Sequence, residues 1–527
     1  MTGPEQPDPD HPDHQHAERR HPDRHSPDHY SRDRHHLDRR TVTASTIVAA
    51  GALVAAAVPT AIGMVLGGLG AGWIALWCVG GIVLGTVSTA VAEAVRLAVT
   101  TFRLDSHRVE RRVRFLASTT TSIATPRVRN VEISANVVQR RLGIATVKLS
   151  SGETDGSRLT LASLDLQAAE DLRRRLLAER ASTDSTEIAR LDPGWVRYTP
   201  VSFMTPVFGA IGVGLVFQVA SWFNAVPALV REVWERVDHV PIPLLVVAAV
   251  LIIGVLGTVA TVAVFVESWW SMRLDLHRDG SLEMRRGLLV GRHTTLDGSR
   301  IRGVTLHEPP GLRGIGAARL DVLAIGVGLG KDENGQTKPS PALVPASPRE
   351  VSVGVAESVL GVELPASGAL RGHPVAARRR RHLRAVLATV ALTAIALVPA
   401  LVWPWLWWVP VTVLVVSGVV SWWIAVDNHR GLGHTVTDTV VALRKGSVLR
   451  RTDVLLRDGI LGWNIRRTPF QRRAGLATLV ATSAGGGGAF RLPDLGADQA
   501  SVVWGTAGDV WGTAGDVWAH LSRGRSA

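Results

Sequence analysis

Six long apolar runs, arranged as three pairs, constrain this 527-residue chain more than any other feature. They cover 43–66, 71–92, 203–223, 243–266, 385–402 and 405–426. Each reaches or approaches the ~20 residues a helix needs to cross a hydrocarbon core. Soluble core helices rarely stay apolar on every face for that length, so the runs read as membrane spans. Tryptophans cluster within or near their ends, including Trp73, Trp77, Trp222, Trp269, Trp270, Trp403, Trp405 and Trp422. Indole settles at the membrane–water boundary, which supports six spans in three hairpins.

The formal charge of +13 is almost wholly arginine. Arg39 and Arg40 precede the first run, Arg96 and Arg103 follow the second, and Arg378–Arg381 precede the fifth, whereas the turns at 67–70 and Pro404 carry no Lys or Arg. This distribution favours a membrane surface over nucleic acid as the partner. The positive-inside rule then places both termini and the large polar segments in the cytoplasm, at the cell membrane. Cys78 is the single cysteine, so no disulfide framework forms within the chain. Residues 1–40 hold eight histidines among Pro, Asp and Arg, and read as a solvated, disordered tail. Gly63 with Gly67 and Gly81 with Gly85 are small-residue pairs suited to close helix packing.

A short motif recurs after each hairpin. It reads Gln139-Arg140-Arg141-Leu142-Gly143 in the first copy and Gln471-Arg472-Arg473-Ala474-Gly475 in the third. The middle copy, around Arg313 and Gly316, is more diverged and has Pro309-Pro310 before it. Upstream, Arg127-Val128-Arg129 aligns without a gap to Arg300-Ile301-Arg302; Gly459-Ile460-Leu461 stands there in the third copy. Arg103-Leu104-Asp105 likewise matches Arg273-Leu274-Asp275. Repetition of this kind sets the architecture before any other reading.

Inside a copy the pattern is β, with Val128, Val131, Ile133, Ile144, Val147 and Leu149 among polar residues and turn formers. A helix closes each copy, capped by Ser163 or Asp165, then started at Ser347-Pro348, then near Asp498. The expected organisation is a tail at 1–40 and hairpins at 43–92, 203–266 and 385–426. Soluble domains follow at 101–181, 271–362 and 434–523. The segments 182–200 and 365–382 read as linkers.

A strand-rich domain with one closing helix, set after a two-span hairpin and carrying this motif, resembles the bacterial pleckstrin-homology-like, membrane-flanked family typified by YdbS and YdbT. The residues that carry the resemblance are Val128, Asn130-Val131, Gln139, Leu142-Gly143 and Ala145-Thr146-Val147. The triplicate layout resembles the longer, YdbT-like members. The resemblance implies α-helical transmembrane hairpins plus α+β modules, each a strongly bent β-sheet or open barrel capped by a C-terminal helix. It also implies a role in envelope maintenance or stress resistance, and pairing with a shorter single-domain relative.

The motif glycines read as turns needing positive φ or close backbone approach. The arginines read mainly as structural, with anionic headgroups as the alternative contact. No HExxH, GxSxG or CxxC occurs, and Gly326–Lys331 lacks phosphate-loop spacing. No catalytic, metal or cofactor residue is therefore expected. The leading expectation is a non-enzymatic scaffold or binding platform that contacts membrane lipid and is able to oligomerise. A transporter or channel subunit is the alternative, and it lacks the mid-span ionisable groups such pathways need.

Overall fold

The computed structural model describes residues 34–36, 38–66, 68–104, 108–114, 118–125, 128, 130–150, 158–177, 184–202, 204–222, 225–237, 239–325 and 341–508. The histidines at 11, 14 and 16 and the glycine-rich stretch at 326–331 lie outside them.

The first series of elements opens with β1 (Arg34–His36), α1 (Arg40–Leu66) and α2 (Ala71–Val99). It continues through β2 (Thr100–Leu104), β3 (Arg108–Arg114), β4 (Ser118–Ala124), β5 (Asn130–Ala135), α3 (Val137–Arg141), β6 (Ile144–Ser150), β7 (Arg158–Asp165) and α4 (Leu166–Leu177). The second opens with β8 (Ser185–Arg190), α5 (Met204–Trp222), α6 (Val226–Val237) and α7 (Ile242–Trp269). Its remainder is β9 (Arg273–His277), β10 (Leu282–Arg286), β11 (Gly291–Leu296), β12 (Ile301–His307), α8 (Pro310–Gly314), β13 (Ala317–Ala324), β14 (Ala342–Pro348) and α9 (Arg349–Leu360). The third runs from α10 (Val375–Val402) and α11 (Trp408–Arg430) to β15 (Gly433–Val436), β16 (Val440–Lys445), β17 (Arg451–Leu456) and β18 (Ile460–Arg466). It ends with α12 (Pro469–Arg473), β19 (Leu476–Ser483), β20 (Ala489–Gly496) and α13 (Ala497–Gly508).

Six helices among the described residues, α1, α2, α5, α7, α10 and α11, are long and apolar enough to cross a membrane. They pack as the pairs α1–α2, α5–α7 and α10–α11, so each pair returns the chain to the end it left. The tightest approach is in the second pair. A Cβ on Gly209 would lie 2.0 Å from the Ile253 carbonyl oxygen, and one on Gly257 2.0 Å from that of Thr205. Of the small-residue pairs read from sequence, Gly85 packs on Leu53 within its own hairpin while Gly81 meets nothing. Ser221 Oγ donates to the Gln218 carbonyl, so its hydroxyl is satisfied locally (2.6 Å). Between α5 and α7 the chain forms the amphipathic α6 rather than a plain turn. Val226, Val230, Val233 and Trp234 share one side, opposite Arg231, Glu232, Glu235 and Arg236.

Among the described residues the strands form four antiparallel sheets, ordered β1-β2-β3-β4, β7-β6-β5-β11-β10-β9-β8, β14-β13-β12-β17-β16-β15 and β18-β19-β20. This corrects the expectation of one bent sheet or open barrel per copy. Within the first and second series the fourth and fifth strands are not neighbours, and the edge of β5 is taken by β11 and that of β12 by β17. The segment 182–200 is also more than a linker, since β8 adds an outer strand to β9, as β1 does to β2. The two RLDxHR copies are not placed alike: Arg273 opens β9, whereas Arg103 is next to the end of β2.

Burial follows the series, not the sheets. One core gathers Phe102, Val109, Ile123, Val131, Val147, Leu161 and Leu172, all from the first series. The second gathers Leu274, Leu282, Leu296, Val304, Leu320 and Ala356, together with Val440, Ala442 and Val454 from the third. The third core holds Leu443, Leu455, Leu479, Leu492 and Val503, and takes Leu323 from the second series. The closing helices α4, α9 and α13 bury Leu172, Val355 and Val503 respectively.

Because β5, β11, β12 and β17 are interior strands of joined sheets, their amides should exchange with deuterium as slowly as those of β6 and β13. Exchange mass spectrometry on the full chain checks this, and edge-like exchange of β11 or β17 would show that the units are not joined.

Candidate functional site

The recurring motif folds identically in its three places. In α3 the Asn136 side chain accepts from the Gln139 amide (2.7 Å), while Gln139 Oε1 accepts from the Asn136 amide (3.0 Å). This is a capping box, which satisfies two orphan helix donors reciprocally. In α12 Thr468 and Gln471 form the same box. In α8 the glutamine is replaced by buried Leu312, and Pro310 at the first helical position supplies a preset φ instead. The diverged middle copy therefore keeps the same local fold. Each helix then ends on the motif glycine, at φ +72° for Gly143, +67° for Gly316 and +65° for Gly475. A Cβ on Gly316 or Gly475 would meet nothing within 4 Å, so conformation and not crowding selects glycine there. The freed carbonyl of each glycine accepts the first amide of the closing helix: Leu166 (2.7 Å), Arg349 (2.9 Å) and Ala497 (3.1 Å).

All three motifs sit where their own hairpin begins. Arg40, which opens α1, donates to the Leu142 carbonyl (3.4 Å). A Cβ on Gly311 in α8 would touch the Val201 carbonyl, just before α5 (2.3 Å). In the third copy Gln471 Nε2 donates to Asp494 (3.0 Å), which also takes Arg380 and Arg381 from the first turns of α10.

The motif arginines reach forward to the next unit. Arg140 donates to the Leu288 and Leu289 carbonyls in the β10–β11 turn (2.5 and 3.0 Å). Arg313 pairs with Asp427 at the end of α11 (2.9 Å), which Ser447 and Arg450 of the β16–β17 turn also bind. Arg141, Arg472 and Arg473 are exposed. Arg302 lies over the third unit, where a Cβ on Gly459 would come within 2.8 Å of its Cδ and one on Gly485 within 3.0 Å of its Cβ. Gly459, which stands in the third copy where the second has Arg300, and Gly485 of the β19–β20 turn thus make room for this side chain. Arg300 closes a short turn before β12. Arg127 and Arg129 lie outside the described residues.

Three polar clusters escaped the sequence reading. At the first junction Glu283 is bound by His293 (2.6 Å), Arg285 (2.7 Å), Arg173 of α4 (3.3 Å) and His277 (3.4 Å). The His293 hydrogen bond, then Arg285 and Arg173, hold the Glu283 carboxyl well below the usual range despite its burial. Burial in turn lowers His293, against the pull of the Glu283 carboxylate that raises it. At the second junction Thr305 Oγ1 donates to buried Asp453 (3.0 Å), which Lys445 and Arg451 also pair. In the third unit His373 and His434 stack edge to face at 5.6 Å, and His373 Nδ1 lies 3.1 Å from the Asp494 carbonyl. Burial, with His434 beside it, pushes His373 down to about 4, and burial pushes His434 down to about 4. Arg173 and Thr305, which complete the first two clusters, and the contact of His373 with Asp494 come from far along the chain, so local spacing alone did not announce them.

Two outcomes follow for stability. Gly475→Ala should cost about 1–2 kcal/mol, the penalty for an L side chain in the left-handed region, and Gly475→Asn less. Thermal unfolding of the detergent-solubilised chain reads both; an unchanged midpoint for the alanine variant would refute the role. The paired histidines bind protons more weakly folded than unfolded, so their contribution is full above the ordinary value of 6.5. It is lost as pH falls from there to about 4, and is level below. Limited proteolysis of the third unit across that window should quicken with acid, and His434→Gln should flatten the response.

Among the described residues no group of three or more His, Cys, Asp or Glu could hold a metal ion. Two stretches of the chain, 49–180 and 409–509, match the family model of the bacterial PH domain. The first match runs from inside α1 to just past α4 and the second from the start of α11 into α13, so each includes a motif glycine and its closing helix. The second strand-rich unit lies outside both. No curated protein and no solved structure matches the chain.

Proposed function

We propose that this chain is a non-enzymatic, multi-pass protein of the cytoplasmic membrane. Three PH-like domains, at 101–181, 271–362 and 434–523, arise by repetition and act as one scaffold or binding platform at the inner face. The observation that carries this reading is the fusion of neighbouring units through β5–β11 and β12–β17 pairing. Such joining fixes several surfaces in one geometry, as a platform requires and as three independently tethered binders would not. Six apolar helices, with Leu84, Leu251, Leu401 and Trp405 among many exposed side chains on them, support the membrane setting. The bacterial PH domain match supports the PH-like character of the first and third domains. Both termini lie in the cytoplasm in this reading, and the platform serves envelope maintenance or stress resistance together with a shorter single-domain relative.

Arg140 and Arg313 are occupied by neighbouring units, so headgroup contact falls to the exposed Arg141, Arg472 and Arg473. Each such residue near an anionic leaflet contributes about 1 kcal/mol, which is enough to orient domains that the spans already hold in place. Affinity capture from native membranes, reading proteins and lipids together, tests the proposal. We expect a specific protein partner or an enriched anionic lipid, with lipid enrichment reduced in Arg141→Ala/Arg473→Ala. Recovery of neither partner nor selective lipid would overturn the platform reading. A C-terminal reporter active only in the cytoplasm should be active, and its inactivity would overturn the orientation.

A further inference from the structure

Two strands are left with an open edge where every equivalent strand has a neighbour. β5 pairs with β11 and β12 with β17, but among the described residues β18, the corresponding strand of the third unit, pairs only with β19. At the other end of the series β4, the counterpart of β11 and β17, pairs among the described residues only with β3. The equivalence is exact in spacing. Val131, Val304 and Trp463 each stand twelve residues before their motif glycine, and Ile123, Leu296 and Leu455 each stand eight residues earlier still. Those last three all face a core.

The two filled junctions also share one register. Val131 lies opposite Thr295 and Val304 opposite Val454, with Glu132 opposite Thr294 and Thr305 opposite Asp453. Carried over to the open strands, this register sets Trp463 against Ser122 and Asn464 against Thr121. Neither edge is blunted by inner charges or proline as exposed edges usually are. The irregularity at Ile460/Gly462 of β18 has its counterpart at Ile301/Gly303 of β12, which pairs with β17 all the same. β4 contains no charge and no proline, and β18 carries a single charge, Arg466, at its end. Around β18, Leu461 and Phe470 are exposed apolar residues (63% and 72%). Arg472, at the position from which Arg140 and Arg313 reach the next unit, is exposed and has no partner among the described residues.

We propose that β18 of one chain pairs antiparallel with β4 of a second copy, so that the series of joined units continues from chain to chain. A second copy is the fitting occupant because it alone presents the β4 edge whose two counterparts already fill this junction within the chain. Within one chain β4 and β18 stand at opposite ends of the series. Head-to-tail contacts of this kind close into rings or extend as filaments, according to the rotation between copies. The inference rests on sheet topology and is independent of the scaffold reading.

The test is disulfide trapping in the full-length membrane protein with its lone cysteine removed by Cys78→Ser. One tagged chain carries Asn464→Cys and a differently tagged chain Thr121→Cys. Directly opposed residues of an antiparallel pair lie about 4.5–5.5 Å apart between Cα atoms, inside the roughly 4.4–6.8 Å span of a disulfide. Mild oxidation of co-expressed chains should give a covalent heterodimer. Either chain alone, or Asn464→Cys with Ser118→Cys, should give none. Absence of the heterodimer, with both variants eluting and exchanging deuterium like the parent, would overturn the proposal. So would an intrachain disulfide in the doubly substituted chain. As a measurement free of cysteine, the unsubstituted protein in nanodiscs should have a mass of at least two 56.4 kDa chains. A single-chain mass for it would count against the pairing.

Discussion

Main-chain pairing across unit boundaries is the constraint on which the rest of this structure depends. In the seven-stranded sheet Val131 faces the first core, while Leu296, on the adjoining strand, faces the second. The two halves of one sheet are thus covered by different units, on opposite faces. A slip of one residue between β5 and β11 would turn every side chain to the wrong face, so both cores fix the register together. The second junction works alike, with Val304 and Val454 in the second core and Leu455 in the third. Identical spacing to the motif glycine is what such double burial demands.

The motif turn couples this sheet system to the helical pairs. Its glycine lets the chain leave a five-residue helix and enter β6, β13 or β19, with a carbonyl left to start the closing helix. Its position beside Arg40, Val201 or Asp494 ties that turn to the point where the hairpin begins. Arg140 and Arg313, at the same place in the motif, then grip the next unit, through Leu288 and Leu289 in one case and Asp427 in the other. Hairpin, sheet and neighbour meet at one short segment, which accounts for its recurrence without any chemistry.

Much of this was legible in the chain. Apolar runs of the right length located the six helices, and the glycine positions foretold positive φ because few other roles require that residue between a helix and a strand. The capping boxes at Gln139 and Gln471 could have been read from Asn136 and Thr468 three residues earlier. The amphipathic α6 was visible in the spacing of Val226, Val230, Val233 and Val237. Strand β8 was harder, because a strand outside its hairpin pairs with one on the far side of some eighty intervening residues. The merging of sheets was beyond local pattern altogether, since β5 looks the same whether its partner is β4 or β11. So were the reach of Arg173 to Glu283 and the cluster at Asp494, which come about through that merging and through the docking of α10.

The joined sheets also set a timetable for biosynthesis. β5 is complete when Ala135 has been made, but β11 ends only at Leu296, after an entire second hairpin. At roughly 5–20 residues per second, the first unit waits on the order of ten to thirty seconds with that edge bare. During this interval the chain must make two more long apolar helices, α5 and α7, before its first domain acquires its neighbour. The pairing of an apolar hairpin is therefore a step in the folding of a polar domain made well before it.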